Sequence, residues 1–303
     1  MTQRYEFIAA EKATPNNPFP VRSMCRWLKV SASGFYDHER AVPSARARRR
    51  AVVADYVHAV FERGRGAYGV RRVHALVSAS SDPRVAGCSL NLVRAIMAEL
   101  GLAGCQPRAY RTTTQADPAA QNTPPDLLGR DFTAEAPGVK LVGDITYIRT
   151  WTGWLYLATV IDCCTREVIG WSMASHMRAD LVCDAITMAH DKGAIKPGAI
   201  FHSDRGTQYT SSQFTRHLET LNMRSSMGRR GQCWDNALAE SFFAALKNEL
   251  VYRTSFPTQK HARSAIAEYI EVFYNRIRIH SALGYKTPAE VAADHQQTST
   301  KAA

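Results

Sequence analysis

Three consecutive runs of strand-forming residues, which begin near residue 139, constrain the fold of this chain more than any other feature. The runs cover 140–150, 154–161 and 168–173, are rich in β-branched and aromatic residues, and are separated by short turns. Strands that are joined by such turns pair with antiparallel neighbours. The sequence therefore predicts a three-stranded antiparallel unit at the start of the second half of the chain.

Helix and strand patterns alternate after this unit. Predicted helices cover 180–192, 212–221, 234–251 and 262–276, and predicted short strands cover 199–202 and 224–227. This order of elements favours a mixed sheet with helices on its faces. We expect an α/β core with a mixed five-stranded sheet over residues 136–290.

The first hundred residues have helical patterns instead. Helices are predicted over 21–27, after Ser31 or Ser33, and over 45–62, 70–77 and 89–100. The first pair has the spacing of a helix-turn-helix, although a plain helical hairpin has the same pattern. We expect an all-α helix-turn-helix region over 1–104, a proline-rich linker over 105–135 and a disordered tail over 291–303.

The positive charge of the chain is concentrated in this helical region. Residues 1–130 hold 19 Lys+Arg and 10 Asp+Glu, a net of +9, whereas residues 131–303 hold 19 and 17, a net of +2. Such a footprint is typical of a chain that binds a polyanion, and equally of a solvated basic surface. The sequence has no apolar run long enough to span a membrane, no signal-peptide pattern and no C-x-x-C pair among its 7 cysteines. We therefore expect a cytoplasmic protein with reduced thiols.

Three carboxylates lie at positions where a carboxylate needs an explanation. Asp144 lies inside the first predicted strand, and Asp204 follows the fourth strand, where ligand groups often collect in α/β sheets. Glu240 lies on the polar face of the helix over 234–251, with Asn236 and Lys247 within about 40° of it. Taken singly, each also fits an ordinary role, as an edge-strand charge, a turn aspartate or a solvated helix residue.

Together the three carboxylates indicate a metal site. Carboxylate oxygens are hard ligands that suit Mg²⁺ or Mn²⁺ rather than zinc. Two such ions can activate a water or a 3′-hydroxyl and stabilise the leaving oxygen of a phosphodiester displacement. In this hypothesis Asp144 bridges the two ions, and Asp204 and Glu240 each complete one of them.

The spacing of these carboxylates and the strings around them resemble a known family. With 35 residues between Asp204 and Glu240, the trio resembles the DDE signature of transposases and retroviral-type integrases. The flanking strings are similar to those of the second-reading-frame transposase of the insertion-sequence-three family. They are 143–147, 202–206, 228–237, 240–243, 274–275, 280–285 and 287–288, together with 69–74 in the front region.

This resemblance implies an RNase H-like integrase core that cleaves and joins DNA strands at the terminal inverted repeats of an insertion sequence, with Mg²⁺ or Mn²⁺. It implies that Lys247 contacts substrate phosphate, with Asn236 and Arg205 as further DNA-binding candidates. Arg71 and Arg72 lie in the segment similar to the second helix-turn-helix of the family. Expected partners are the element ends and target DNA, a second copy of the chain, and an upstream-frame fusion partner.

Two other functions remain open from the residues alone. A carboxylate trio of this kind also fits an RNase H-like nuclease without strand transfer, and a helix-turn-helix regulator with a degenerate core is a non-catalytic alternative. We exclude Asp162 from the predicted site because it lies at a hairpin, where Asp is a usual turn residue. We interpret Glu167, Asp180, Asp184, Asp235 and Glu249 as turn or surface residues on similar grounds.

Overall fold

The five strands predicted from the sequence form one mixed sheet. The computed structural model describes residues 1–40, 43–105, 124–229 and 233–302. The strands are β1 (Lys140–Thr150), β2 (Gly153–Asp162), β3 (Val168–Ala174), β4 (Ile200–Ser203) and β5 (Arg224–Met227). Their order in the sheet is β3-β2-β1-β4-β5, with β1, β2 and β3 antiparallel and β4 and β5 parallel to β1. The predicted antiparallel unit and mixed sheet are confirmed.

Helices cover both faces of this sheet. The helices of the second half are α7 (Ala179–Asp191), α8 (Ser212–Thr220), α9 (Ala237–Glu249), α10 (Gln259–Glu268) and α11 (Pro288–Ala302). One core contains residues of α7 and α8 with Leu141, Val160 and Phe201 of the sheet. The other contains residues of α9 and α10 with Val142 and Ile148. Because alternate residues of β1 enter opposite cores, the strand is buried on both faces.

Two predicted helices of this half are divided in the structure. A 3-10 turn at Cys233–Asn236 precedes α9, and a π-helical turn at Tyr269–Tyr274 follows α10, so the predicted helix over 262–276 is not one regular helix. The predicted disordered tail is also wrong for most of its length, because α11 begins at Pro288 and continues to Ala302. Thr287 caps this helix by accepting a hydrogen bond from the Glu290 N–H, and the Glu290 carboxylate accepts one from the Thr287 N–H.

The front region contains six helices. They are α1 (Thr2–Ala13), α2 (Val21–Trp27), α3 (Ala32–Arg40), α4 (Ala45–Arg63), α5 (Val70–Ser78) and α6 (Leu90–Glu99). The sequence predicted all of them except α1, whose segment lacks a clear amphipathic pattern. Within the described residues, no helix is long and apolar enough to cross a membrane.

The helices of the front region pack as two groups rather than as one region. Helices α1 to α3 enclose a small core around Ile8, Met24 and Phe35. Helices α4 to α6 instead share their core with the α9 side of the sheet. The Tyr68 hydroxyl lies between them, donating to the Ile277 carbonyl at 2.9 Å and accepting from the Ile279 N–H at 3.2 Å. The second group is therefore docked on the half of the chain that contains the sheet.

Most of the predicted linker, residues 106–123, lies outside the described residues. Its final part packs against the core instead of bridging it. Leu128 is buried, and the Leu127 N–H donates to the Ser226 hydroxyl of β5. Asp126 caps this turn by accepting hydrogen bonds from the N–H groups of Leu128 and Gly129. The end of the predicted linker is therefore a turn that is fixed by side-chain hydrogen bonds.

Candidate active site

The parallel pairing of β1 and β4 brings Asp144 and Asp204 together. Lys140 pairs with Ile200 and Val142 with His202 in this ladder. Continued by two residues, the same register places Asp144 of β1 opposite Asp204, which directly follows β4. Neighbouring strands lie about 4.8 Å apart, so the two carboxylates share one notch at the end of the shorter strand.

Gly143 allows this close pairing. A Cβ atom at this position would lie 2.2 Å from Cζ of Phe201, whose ring packs on the backbone of β1 directly before Asp144. No side chain larger than hydrogen fits unless the Phe201 ring or the strand moves. Gly143 therefore has a packing role, because it lets the Phe201 ring lie against β1 directly before Asp144.

We expect Gly143→Ala to lower the free energy of unfolding by about 1–3 kcal/mol, because it overpacks a filled core. The displaced strand would also move Asp144. Gly69→Ala is the matched control, because a Cβ there meets nothing within 4 Å and Gly69 has φ −77°. Chemical denaturation checks both variants. A Gly143→Ala protein as stable as wild type would contradict the packing role.

Helix α9 crosses β1 and supplies the third carboxylate. Leu238, Phe242 and Leu246 of α9 are buried against the sheet side of the core. At the start of the helix, the Asn236 Nδ2 donates to the Gly143 carbonyl at 3.1 Å. These contacts hold half-buried Glu240 beside β1, as the sequence predicted.

Lys247 lies on the same side of α9 as Glu240. Its Nζ is 5.4 Å from the centroid of the Tyr147 ring, three residues after Asp144 on β1. Burial lowers the pKa of Lys247, and the nearby negative charge of Asp144 partly opposes this shift. The predicted basic position is therefore part of the same cluster as the carboxylates.

Burial and mutual proximity set the electrostatics of the acidic cluster. Burial raises the pKa of Asp144 to about 8, and the charges of Asp204 and Glu240 contribute to this increase. A hydrogen bond from the Ile145 N–H at 2.7 Å and the charge of Lys247 act in the opposite direction. An acidic group whose pKa is raised by burial and by neighbouring carboxylates is a candidate for a functional site.

The pKa values of Asp204 and Glu240 are raised less strongly than the pKa of Asp144. Burial of its carboxylate raises the pKa of Asp204, although the residue keeps an exposed outer surface and accepts a hydrogen bond from the Gly206 N–H at 3.0 Å. Burial also raises the pKa of Glu240. The cluster is thus open on the Asp204 side, where a substrate can enter.

The donor set fits a hard divalent cation. It consists of carboxylate oxygens, and the buried Tyr209 hydroxyl beside Asp144 and Asp204 has no hydrogen-bond partner among the described residues. In the part of the chain that the structure describes, no group of three or more His, Cys, Asp or Glu side chains is arranged so that it could hold a metal ion by itself. Mg²⁺ keeps several waters and is usually held by one or two carboxylates together with substrate phosphates. An open carboxylate notch is compatible with that mode of binding.

A buried histidine under the site escaped the sequence analysis. His202 Nε2 donates to the Asp235 carbonyl at 2.8 Å, so its Nδ1, 2.8 Å from the Ser226 Oγ, accepts when the ring is neutral. Burial lowers the pKa of His202, which favours that neutral form. His202 therefore ties β4, β5 and the start of α9 together two residues before Asp204. Its position in a short apolar strand gave no signal of this role.

The interpretation of Asp235 as a turn or surface residue is wrong. Its side chain is 2% exposed and forms ion pairs with Arg130 at 2.7 Å and Arg229 at 3.2 Å. Burial alone would raise the pKa of Asp235, but hydrogen bonds from the two arginines outweigh it and lower the pKa to about 2. Asp235 holds the segment that leads into α9. Sequence could not predict this because both arginines are distant or in a loop.

The remaining candidates occupy different environments. Arg205 donates from Nε to the Gly228 carbonyl at 2.9 Å at the edge of the site. Asn236, predicted as a DNA contact, is buried, and its Oδ1 has no hydrogen-bond partner among the described residues. Arg71 is exposed on α5, whereas Arg72 is partly buried 3.9 Å from Glu249. The two arginines therefore lie in different environments, because Arg71 faces solvent and Arg72 faces the half of the chain that contains the sheet.

Asp162 lies outside the site, consistent with its exclusion. Its buried carboxylate accepts hydrogen bonds from the N–H groups of Gly138, Cys164 and Thr165 at 2.6–2.9 Å. These bonds fix the turn between β2 and β3. Glu249 was also interpreted as a surface residue, but its side chain is 6% exposed and is paired with Arg278.

Comparison with known proteins gives consistent matches over almost the whole chain. Two family models, both described as "Integrase core domain", match residues 134–233 and 221–288. Transposase InsF for insertion sequence IS3A of Escherichia coli (strain K12) is 38% identical over 95% of this chain and 97% of its own length. The transposase for insertion sequence element IS904 of Lactococcus lactis subsp. lactis (strain IL1403) is 37% identical over 82% of this chain and 96% of its own.

Similarity to solved structures is weaker. The chain aligns with a structure of the simian T-cell lymphotropic virus intasome in complex with PP2A regulatory subunit B56 gamma at a TM-score of 0.46 and 14% identity, over 74% of each chain. It aligns with the HTLV-2 integrase catalytic core domain in complex with magnesium at a TM-score of 0.41 and 15% identity, over 52% of this chain and 99% of that one.

Proposed function

Because this chain belongs to the IS3 family of insertion-sequence transposases, which have an integrase core domain, we propose that Asp144, Asp204 and Glu240 are its catalytic residues. The family membership confirms the resemblance inferred from the motifs, the RNase H-like integrase core and the function as a DNA transposase. Enzymes of this class are DDE polynucleotidyl transferases. The observation that carries the residue assignment is the convergence of β1, the end of β4 and α9 on one acidic notch.

In this proposal the carboxylates act as ligands of two divalent metal ions, Mg²⁺ or Mn²⁺. Bound there, the metal ions would activate a water or a 3′-hydroxyl and stabilise the leaving oxygen of the phosphodiester. Asp204 and Glu240 both act on Asp144 electrostatically, so Asp144 would contribute to both metal positions, and Asp204 and Glu240 would each contribute to one of them.

Neighbouring side chains orient the DNA and the ligands. Lys247 and Arg205 flank the carboxylates, and their positive charges suit the phosphates next to the scissile bond. Asn236 instead acts as a positioning residue, because its amide fixes the start of α9 to the Gly143 carbonyl. The net charge of +9 over residues 1–130 supports a DNA-binding role for the front region, including Arg71.

The finer features of the proposal follow from the reaction. Cleavage and strand transfer at terminal inverted repeats require two DNA ends to be held together, so we infer that the chain acts as a homo-oligomer on DNA. Fusion to an upstream reading frame is the arrangement that the sequence analysis expected. The action on DNA favours the cytoplasm as the location, as the sequence analysis expected.

The experiment that tests the function uses the purified chain with candidate element ends, target DNA and Mg²⁺ or Mn²⁺. Mapping of the products by sequencing should reveal cuts at the ends of the inverted repeats and joints between element ends and target. Cuts without joints would instead identify an RNase H-like nuclease that lacks strand transfer. Absence of metal-dependent products on any DNA, with a folded protein, would contradict the proposal.

A further inference from the structure

Three large aromatic side chains are exposed on the hairpin that carries Asp144: Trp151 at the turn, and a pair formed by Tyr147 and Trp154 on the two strands. Tyr147 of β1 is 53% exposed and Trp154 of β2 is 46% exposed. Their ring centroids are 5.1 Å apart and their planes are perpendicular. We call these two side chains the aromatic platform. Large apolar groups on a surface that the protein itself does not cover often mark a binding site.

The aromatic platform adjoins the acidic notch. Tyr147 follows Asp144 by three residues, which span about 10 Å of extended strand, so the two side chains point to opposite faces of β1 and the platform approaches the notch at the edge of the strand. Beyond Val142, β1 has no paired residue in β4, so this part of the strand is open on the side of the notch. Lys247 bridges the two features, because its Nζ lies over the Tyr147 ring and its charge acts on Asp144. The platform is therefore within reach of DNA that occupies the site.

Cationic side chains flank the aromatic platform on the same face of the hairpin. Tyr147 is paired across the ladder with Tyr156, and Arg149 is paired with Trp154, so these side chains share a face. Arg149 is exposed. Aromatic rings beside basic groups are the combination with which proteins hold unpaired nucleic acid, because every base has a face that can stack. The charge complementarity favours a polyanion over an apolar protein partner.

We propose that the aromatic platform stacks an unpaired base near the cleaved end of the DNA. At 3.4 Å of axial rise per nucleotide, the distance of about 10 Å corresponds to roughly three nucleotides from the scissile phosphate. Stacking would keep the DNA strands apart at the cleaved end, while Lys247 contacts the phosphate backbone of the stacked nucleotide. This inference deepens the proposed transposase function and rests on it.

The test compares two DNA probes that share the same duplex: a blunt probe, and a frayed probe that carries in addition a short unpaired run of thymidines at each 3′ end. Fluorescence anisotropy without divalent metal measures binding to the full chain. We expect wild type to prefer the frayed probe by about 5–100-fold, the effect of stacking one base. Tyr147→Leu and Trp154→Leu should each lose most of that preference and keep their affinity for the blunt duplex.

Three controls separate stacking from loss of fold. Tyr147→Phe and Trp154→Phe keep an aromatic face and should keep the preference. Tyr252→Leu removes an aromatic residue of equal exposure, 46%, outside the hairpin and should also keep it. Thermal unfolding of each variant verifies that the hairpin is intact, since a cross-strand aromatic pair itself contributes only about 0.2–1 kcal/mol.

The outcomes distinguish this inference from the function on which it rests. A wild-type protein that cleaves DNA with Mg²⁺ but binds both probes equally overturns the aromatic platform and leaves the transposase assignment in place. Leucine variants that retain the full preference overturn it as well. A wild-type protein that neither binds nor cleaves any DNA overturns the proposed function and this inference together.

Discussion

Asp144→Asn is expected to abolish strand cleavage, with a loss of at least about 10³-fold, equivalent to about 4 kcal/mol of transition-state stabilisation. Asp204→Asn and Glu240→Gln should have the same effect, because each removes a charged ligand from the acidic notch. DNA binding should be spared, since these carboxylates repel phosphate rather than attract it. Product analysis with Mg²⁺ and a gel-shift assay without it measure the two properties separately.

Stability measurements distinguish this role from a structural one. The pKa of Asp144 is raised from 3.8 to about 8 in the folded chain, so its ionisation disfavours folding progressively as pH rises through that window. Asp144→Asn removes this penalty, and the metal-free variant should be at least as stable as wild type at neutral pH. Saturating Mn²⁺ should raise the melting temperature of wild type but not of the variant.

A matched control is available on another element. Asp184→Asn changes an exposed aspartate on α7 and should leave cleavage within about 2-fold, because surface substitutions of this kind have small effects. Retained cleavage in any one of the three notch variants would remove that residue from the catalytic assignment. Loss of folding in Asp144→Asn would point to a structural carboxylate instead.

The second large effect concerns a buried ion pair that links α9 to the C-terminal part of the core. Glu249 and Arg278 are 6% and 8% exposed, with Arg278 Nη2 2.7 Å from Glu249 Oε1. The Tyr269 hydroxyl also donates to Glu249 at 2.8 Å. Glu249→Gln leaves the guanidinium buried without its countercharge, and we expect it to lower the free energy of unfolding by about 3–5 kcal/mol.

Denaturant titration measures this loss against an exposed pair. Lys286 and Asp294 have the same 2.7 Å separation but are 55% and 54% exposed, so Asp294→Asn should cost no more than about 1 kcal/mol. A double variant, Glu249→Gln with Arg278→Met, should recover part of the stability, because it removes the unpaired charge. If Glu249→Gln destabilised the protein less than the Asp294→Asn control, water would have to solvate the charge of Arg278 in place of Glu249.

Glu249 also relates the catalytic core to the front region. Arg72 approaches Glu249 from α5 at 3.9 Å, while Arg65 pairs with Glu268 in the same interface. Burial lowers the pKa of Arg72. The sequence predicted Arg72 as a DNA contact, and the structure instead surrounds it with the docked interface. Its part in holding DNA remains a prediction, and exposed Arg71 is the better placed of the two.

The sequence by itself determined where the five strands lie along the chain and proposed the three carboxylates as one set. Local patterns sufficed there: the alternation of β1 to β3, the cap of α6 at Ser89 and the polar face of α9 are properties of neighbouring residues. The resemblance of short motifs to a family supplied the function. Both kinds of signal depend on residues that lie close together in the chain.

Only the tertiary structure decided which distant residues meet. It placed Asp144 opposite Asp204 through a parallel ladder, gave Asp235 its two arginines and exposed Tyr147 and Trp154 beside the notch. It also split the front region, since α4 to α6 bury their apolar face on the core rather than on α1 to α3. Long-range pairing and burial set these contacts, and neither leaves a periodic signal in a single sequence.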